Sequence, residues 1–308
     1  MNKIVAICGP TAVGKTAYSI EIAKKFDGEI VSCDSMQLYK YMDIGSAKPS
    51  PDELNQVKHH LIGIVDPSEM FSVAKYKELA SSSIDDILSR GKLPIIAGGT
   101  GLYLDALLYD LDFAAAPSDD SLRDELYKIA EEKGNLELHA ILQECDPGSA
   151  QRIHPNNVRR VVRAIESAKS GNKLKDFAKD LSLNDKYEFI LIGLRRDREE
   201  LYDRINRRVD VLVKEGLFEE VKMLRDMGLS ESDISMKGIG YKEVLAYFDG
   251  EYDLETAIDT IKKNTRHFAK RQITWLKRYD DMKWFDLSES KDDKDSIREI
   301  ITWLEKNL

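Results

Sequence analysis

Cysteine is scarce in this chain and carries no pattern. Cys8, Cys33 and Cys145 form neither a C-x-x-C pair nor a metal-ligand spacing, which fits a reducing compartment and argues against a structural zinc site. Long apolar runs are missing too. None approaches a membrane span, and the first strand reaches Gly9-Pro10 after too few apolar residues for a signal peptide, so a cytoplasmic protein with no membrane partner is expected. No repeat and no low-complexity tract is present. A guanine-reading N-K-x-D is absent, which counts against a GTPase-like module. Positive charge is not in excess either: the net charge of −9, taken alone, argues against a nucleic-acid partner.

What is present describes an ordinary globular protein, with 42% hydrophobic and 33% charged residues. The length of 308 residues implies one large domain with an elaboration, or two domains. The charge is segregated. Residues 151–175 hold seven Lys/Arg against one acid, Glu166, and residues 262–278 hold seven Lys/Arg and no acid. Acid gathers in 117–146 and 280–299. Such segregation makes a basic surface on an acidic protein, or two solvated helix faces; composition leaves both open.

Residues Gly9, Pro10, Thr11, Ala12, Val13, Gly14, Lys15 and Thr16 fit G-x-x-x-x-G-K-[ST], the phosphate-cradling loop. The glycines let the backbone turn so that successive N–H groups point at an anion, and the helix that follows adds the positive end of its dipole. Lys15 supplies a cation for the outer phosphate, and the Thr16 hydroxyl is placed to ligate a Mg²⁺ riding on it. The apolar run Lys3–Cys8 precedes the loop, and 15–26 reads as a helix. The loop thus binds a diphosphate, without saying whether that diphosphate belongs to a nucleotide.

Strands are predicted at Glu29–Cys33, His60–Val65 and Leu93–Ala97, with a helix from Ser72 to Arg90 between the last two and another from Leu102. This alternation predicts an α/β fold, a P-loop-containing, mainly parallel sheet flanked by helices. In such sheets ligands sit beyond the carboxyl ends of the strands, so Gly9, Asp34 and Gly98 are expected to face one crevice. From Phe113 to Lys186 the pattern changes to helices near 119–133, 135–144 and 156–170, before a buried strand at Tyr187–Leu194. We read a helical insertion domain, 113–185, within a core made of 1–112 and 186–308. Further helices are expected at 198–226, 241–248 and 253–279, then a short strand at Lys283–Phe285 and a last helix from 292.

Asp66, followed by Pro67, reads as a turn aspartate. Asp34 is followed by Ser35-Met36-Gln37-Leu38-Tyr39, a run of hydrogen-bonding and stacking side chains that a metal-holding aspartate does not need. A carboxylate taking a proton from an incoming nucleophile would use them, although a strand-end aspartate capping a loop fits the spacing as well. Gly98-Gly99-Thr100-Gly101 is either a second anion-friendly turn opening a helix or a tight strand-to-helix turn.

Taken together, the Gly9–Thr16 loop, Asp34–Tyr39, Ala97–Tyr103 and Lys270-Arg271-Gln272-Ile273-Thr274-Trp275-Leu276 resemble the bacterial-type tRNA dimethylallyltransferases, also called tRNA isopentenyltransferases. Supporting stretches are His154–Asn157 with Arg159-Arg160, Asp197–Ile205, and Gly238-Ile239-Gly240-Tyr241-Lys242-Glu243. The similarity runs from the first strand to about Trp284. The zinc-finger pattern of eukaryotic relatives is not seen.

The resemblance implies transfer of the dimethylallyl group of dimethylallyl diphosphate to N6 of the adenosine on the 3′ side of a tRNA anticodon, by a monomer using Mg²⁺. It implies that the loop, Lys15 and Thr16 with its Mg²⁺ hold the diphosphate, that Thr100 and Arg198 assist at that end, and that Asp34 receives the N6 proton. It further implies a tRNA site of Asp34, Ser35, Met36, Gln37, Thr100, Arg123, Arg159, Arg160, Val161, Val162, Arg163, Lys270 and Arg271. The rivals are a P-loop kinase, which would turn over ATP, and a relative acting on free adenine nucleotides, which would need neither basic faces nor an insertion.

Overall fold

The computed structural model describes residues 2–109, 111, 120–171, 182–290 and 292–308. The expected break at Ala114–Pro117, together with Phe113, Lys173 and Lys175, lies outside them.

Six strands form an all-parallel sheet: β1 (Asn2–Cys8), β2 (Gly28–Cys33), β3 (His59–His60), β4 (Leu93–Gly98), β5 (Tyr187–Arg195) and β6 (Lys283–Asp286), in the order β3-β2-β4-β1-β5-β6. Strands such as Ile4–Cys8 are apolar throughout because a parallel sheet is covered on both faces. The helices of this unit are α1 (Lys15–Lys25), α2 (Pro51–Leu54), α3 (Val73–Ser89) and α4 (Gly101–Leu108) in its first half. Ser72 caps α3 as expected, its hydroxyl accepting from Lys75 N at 3.2 Å.

The described chain divides into two compact units, Met1–Leu108 with Asn184–Leu308, and Tyr109–Leu183. The second unit contains α5 (Asp120–Lys133), α6 (Asn135–Cys145), α7 (Pro147–Arg152) and α8 (Val158–Lys169). These close around Leu126, Leu138, Leu142, Ile153, Val161, Val162 and Ile165. The second half of the first unit continues with α9 (Arg198–Lys214), α10 (Leu217–Asp226), a 3₁₀ turn at Ser235–Lys237, α11 (Tyr241–Phe248), α12 (Leu254–Leu276) and, after β6, α13 (Asp293–Leu304). Its core joins Val5, Ile7, Ile30, Ile95 and Ile192 of the sheet to Ile22 of α1, Leu201 and Ile205 of α9, Ala269 of α12 and Ile300 of α13.

Two expectations are corrected. The strand expected over His60–Val65 shrinks to His59–His60, because Leu61 (φ +63°) and Gly63 (φ +61°) are left-handed and turn the chain. The amides of Gly63 and Ile64 then donate to the carbonyls of Gln37 (2.9 Å) and Leu38 (2.7 Å), so this stretch lines the loop after β2. The helix expected over 198–226 breaks into α9 and α10 at Gly216, whose φ of +105° leaves the helical region.

At the start of β2, Glu29 is only 4% exposed. Its carboxylate accepts from Arg90 Nη2 at 2.7 Å and His60 Nε2 at 2.8 Å, and pairs with Arg90 Nη1. Hydrogen bonds from Arg90, opposed by burial and helped by His60, hold this carboxyl down at about 2. A depressed carboxyl stabilises the fold above its ordinary value of 4.5, and that stabilisation drains as the pH falls through 4.5 towards about 2. Glu29→Gln should therefore cost about 3 kcal/mol at neutral pH. Thermal melts should show the gap to wild type narrowing below pH 4.5; a gap constant with pH would contradict this role.

Candidate active site

Because β2, β4 and β1 are neighbours and parallel, their carboxyl ends deliver Asp34, the Gly98–Gly101 turn and the Gly9–Thr16 loop to one edge of the sheet. The loop wraps from β1 into α1 through two left-handed residues, Ala12 (φ +63°) and Gly14 (φ +116°). Gly14 is the N-cap residue of α1 and makes no side-chain cap, so the helix opens with bare amides. The carbonyls of Gly9, Pro10, Ala12 and Val13 are occupied. Arg204 Nε donates to Ala12 O at 3.0 Å, Arg196 Nε to Val13 O at 3.2 Å, and Lys15 Nζ to Gly9 O at 3.0 Å and Pro10 O at 2.8 Å. Among the described residues the amides of Gly14, Lys15 and Thr16 have no protein acceptor. The result is a concave array of N–H donors backed by cations, which suits an anion.

Burial draws the Lys15 ammonium down to about 8; the Asp34 carboxylate opposes this, and Arg208 adds to it. Lys15 and Asp34 thus feel one another across the junction of the β1 and β2 ends. Asp34 is half-buried, and its Oδ1 accepts from Met36 N at 2.9 Å and Gln37 N at 3.4 Å. Among the described residues its second oxygen has no partner. Thr100 N donates to Cys33 O at 3.2 Å, while Thr100 Oγ1 accepts from Ser35 N at 3.1 Å. The second glycine turn is therefore stitched to the segment that begins at Asp34. Gln37 is held at both ends: its Oε1 accepts from Ser32 Oγ at 3.2 Å and its Nε2 donates to Ala47 O at 3.2 Å. Met36 lies against Gly238, where an added Cβ would come within 2.5 Å of the Met36 methyl.

The two glycine turns share a support that sequence reasoning missed. Gln272 of α12, 6% exposed, accepts from Thr11 N at 2.8 Å through Oε1 and donates to Gly99 O at 3.0 Å through Nε2. Its signal was faint, a buried position in step with Ala269 and Leu276 inside a basic run. On the same helix Lys270 and Arg271 are exposed, and Arg271 lies over the Phe268 ring at 5.7 Å. Lys262 is engaged with Asp210 at 2.6 Å and Arg266 with Asn206 at 2.6 Å, so the basic face of α12 is smaller than its sequence.

Sequence reasoning also missed the arginines that attend the loop. Arg198 is exposed and sits over the Tyr202 ring at 5.2 Å; the described contacts do not bring it to the diphosphate loop. Arg196, Arg204 and Arg208 reach that region instead. Arg196 is anchored by Glu200 (2.7 Å) and Asp293 (2.8 Å), and Arg208 Nη2 donates to Ala47 O at 3.3 Å. An open cleft of about 230 Å³ beside Ala12 is lined by Arg204, Arg207 and Arg208. The i, i+4 spacing of Arg204 and Arg208 was the available signal. Asp66 accepts from Ser68 N (3.0 Å) and Ser68 Oγ (2.6 Å), as a turn aspartate does.

In the second unit Arg159 and Arg160 are exposed on α8. Arg123 Nε pairs with the buried Glu166 at 2.6 Å, and Arg163 lies 3.5 Å from the same carboxylate. Val161 and Val162, expected among the tRNA contacts, are core side chains of α8 at 0% and 2% exposure and offer RNA no side-chain surface. Among the described residues no group of three or more His, Cys, Asp or Glu side chains is gathered as for a metal ion, and no helix is long and apolar enough to cross a membrane.

Comparison with known proteins adds four findings. The IPP transferase family model matches residues 37–279. The tRNA dimethylallyltransferase of Clostridioides difficile is 50% identical over 310 residues, covering 100% of both chains. Among solved structures, the full-length tRNA isopentenylpyrophosphate transferase of Bacillus halodurans superposes with a TM-score of 0.76 at 45% identity, over 99% of this chain and 96% of that one. A eukaryotic dimethylallyltransferase acting on tRNA gives a TM-score of 0.84 at 28% identity, over 100% of this chain and 80% of that one.

Proposed function

The chain belongs to the IPP transferase family of tRNA dimethylallyltransferases, and from that premise we propose that it moves the dimethylallyl group of dimethylallyl diphosphate onto N6 of the adenosine 3′-adjacent to the anticodon of tRNA. The observation that carries the reading is the meeting of the diphosphate loop, Asp34 and Thr100 at the carboxyl edge of the sheet, with Thr100 hydrogen-bonded to Cys33 and Ser35 on either side of Asp34.

The N6 lone pair forms a bond to the allylic carbon as the carbon–oxygen bond to the diphosphate breaks and its electron pair leaves on oxygen. The N6 proton passes to Asp34, whose second oxygen is available for it. Charge growing on the diphosphate meets the amides of Gly14, Lys15 and Thr16, the Lys15 ammonium and the arginines beside Ala12. The lone hydroxyl of Thr16 suits a cation held mainly by substrate phosphates, as Mg²⁺ is. Thr16 would hold Mg²⁺ on the diphosphate, where the ion would neutralise leaving-group charge. The adenosine must leave the anticodon-loop stack, a smaller cost in a single-stranded loop than in a duplex. Ser35, Met36 and Gln37 read its surroundings, while Lys270, Arg271, Arg159 and Arg160 grip backbone phosphate.

The test is transfer itself. Dimethylallyl diphosphate labelled in its allyl group and incubated with tRNA lacking the modification should put label into the RNA; label that stays out of the RNA would contradict the proposal.

The grip has its own test. Arg159→Ala with Arg160→Ala should leave dimethylallyl diphosphate binding unchanged and weaken tRNA binding. The slope of log K against log salt should become shallower by about 0.7–0.9 for each RNA phosphate that an arginine no longer neutralises. An unchanged slope would remove α8 from the RNA interface.

A further inference from the structure

The base-reading segment is held from outside by a buried carboxylate. Glu220 of α10 is 7% exposed and accepts four hydrogen bonds. Its Oε2 receives Asp43 N and Ile44 N, each at 2.7 Å, and its Oε1 receives Gly45 N at 2.9 Å and the Tyr241 hydroxyl at 2.8 Å. Three consecutive backbone amides turned onto one carboxylate form an anion nest in which the protein supplies its own anion. Gly45 is pressed onto the Tyr241 ring, so that an added Cβ would lie 2.5 Å from Cζ. The chain around the nest is bent through two left-handed residues that are not glycine, Tyr41 (φ +63°) and Ala47 (φ +51°). Such a bend persists only where its surroundings over-determine it.

From the nest the hold extends to the reading residues. Ala47, two residues past Gly45, offers its carbonyl to Gln37 Nε2 at 3.2 Å and to Arg208 Nη2 at 3.3 Å. Lys48 Nζ donates to Tyr39 O and Asp43 Oδ1, both at 2.5 Å, closing the loop on itself. We propose that Glu220, supported by Tyr241, is a positioning residue for tRNA recognition: it fixes the loop from Asp34 to Lys48 so that the Ala47 carbonyl orients Gln37 towards the target base. The inference rests on the reading of Asp34–Gln37 as the base-facing segment.

Glu220→Gln keeps the size of the side chain but places an amide NH₂ against N–H donors. We expect kcat/KM for tRNA to fall about 10- to 100-fold, with dimethylallyl diphosphate affinity within about twofold of wild type and Glu220→Asp recovering part of the loss. Because the effect runs through Gln37, Glu220→Gln and Gln37→Ala together should cost less than the product of their separate effects. Tyr241→Phe deletes one donor of four and should show the same pattern at about three- to fivefold, which keeps the test open if Glu220→Gln does not fold. Unchanged kcat/KM for tRNA in a folded variant, equal loss of diphosphate binding, or strict additivity with Gln37→Ala would overturn the inference. A wild-type protein that puts no prenyl group on tRNA would instead remove the reading of the site on which it rests.

Discussion

Asp34→Asn should lower kcat by roughly 10²–10⁴ while tRNA affinity changes little. The substitution is nearly isosteric, and an amide oxygen can still accept from Met36 N and Gln37 N, as Oδ1 does at 2.9 and 3.4 Å. The turn into the reading loop therefore survives. What is lost is the second oxygen as a proton acceptor. The N6 amine of adenine is a poor nucleophile because its lone pair is delocalised into the purine ring, so the loss of its proton as the new bond forms is where a base contributes most. Single-turnover transfer with saturating substrates measures the step. A variant that binds tRNA poorly and keeps kcat would make Asp34 a recognition residue.

Lys15→Ala should reduce kcat by about 10² or more, since a contact to the leaving group is strongest where that group's charge is greatest. The resting geometry sharpens the expectation. In the described state Lys15 is spent on the carbonyls of Gly9 and Pro10, at 3.0 and 2.8 Å. With the ammonium drawn down to about 8 by burial, the free protein loses this cation as the pH rises past about 8. In the wild type, kcat/KM for dimethylallyl diphosphate should therefore decline on the alkaline side of about 8. The lysine-free variant should be slower throughout and should lack that decline. An alkaline limb preserved in Lys15→Ala would assign it to another group.

Much of this site was legible in the sequence because parallel strands covered on both faces are written as continuous apolar runs. Ile4–Cys8 and Ile30–Cys33 could hardly be anything else, and their ends located the loop and Asp34. Less was legible where an element's fate depends on distant partners. His60–Val65 has the composition of a strand, yet left-handed Leu61 and Gly63 turn it away to pair with residues 37 and 38. The arginines were legible as charge and not as position. Arg198 belongs to the motif stretch but is exposed, whereas Arg204 and Arg208 lie on the face of α9 that meets the loop and the Ala47 carbonyl. Val161 and Val162 fell inside a basic stretch, and their helical phase put them into the core. Gln272 and Glu220 show the opposite case. Polar residues on polar helices read as solvent-facing until the fold brings a backbone amide to each.

The central claim is that the exocyclic amine of one adenosine attacks a prenyl group held in this diphosphate loop. Two anticodon stem-loops separate it from every alternative, one with the natural adenosine 3′ to the anticodon and one with purine riboside there, which keeps the ring and lacks the amine. Both should bind, since phosphate contacts dominate affinity. With labelled dimethylallyl diphosphate, the account predicts label in the first RNA, one diphosphate released for each group transferred, and no label in the second. Equal labelling of the two would contradict it.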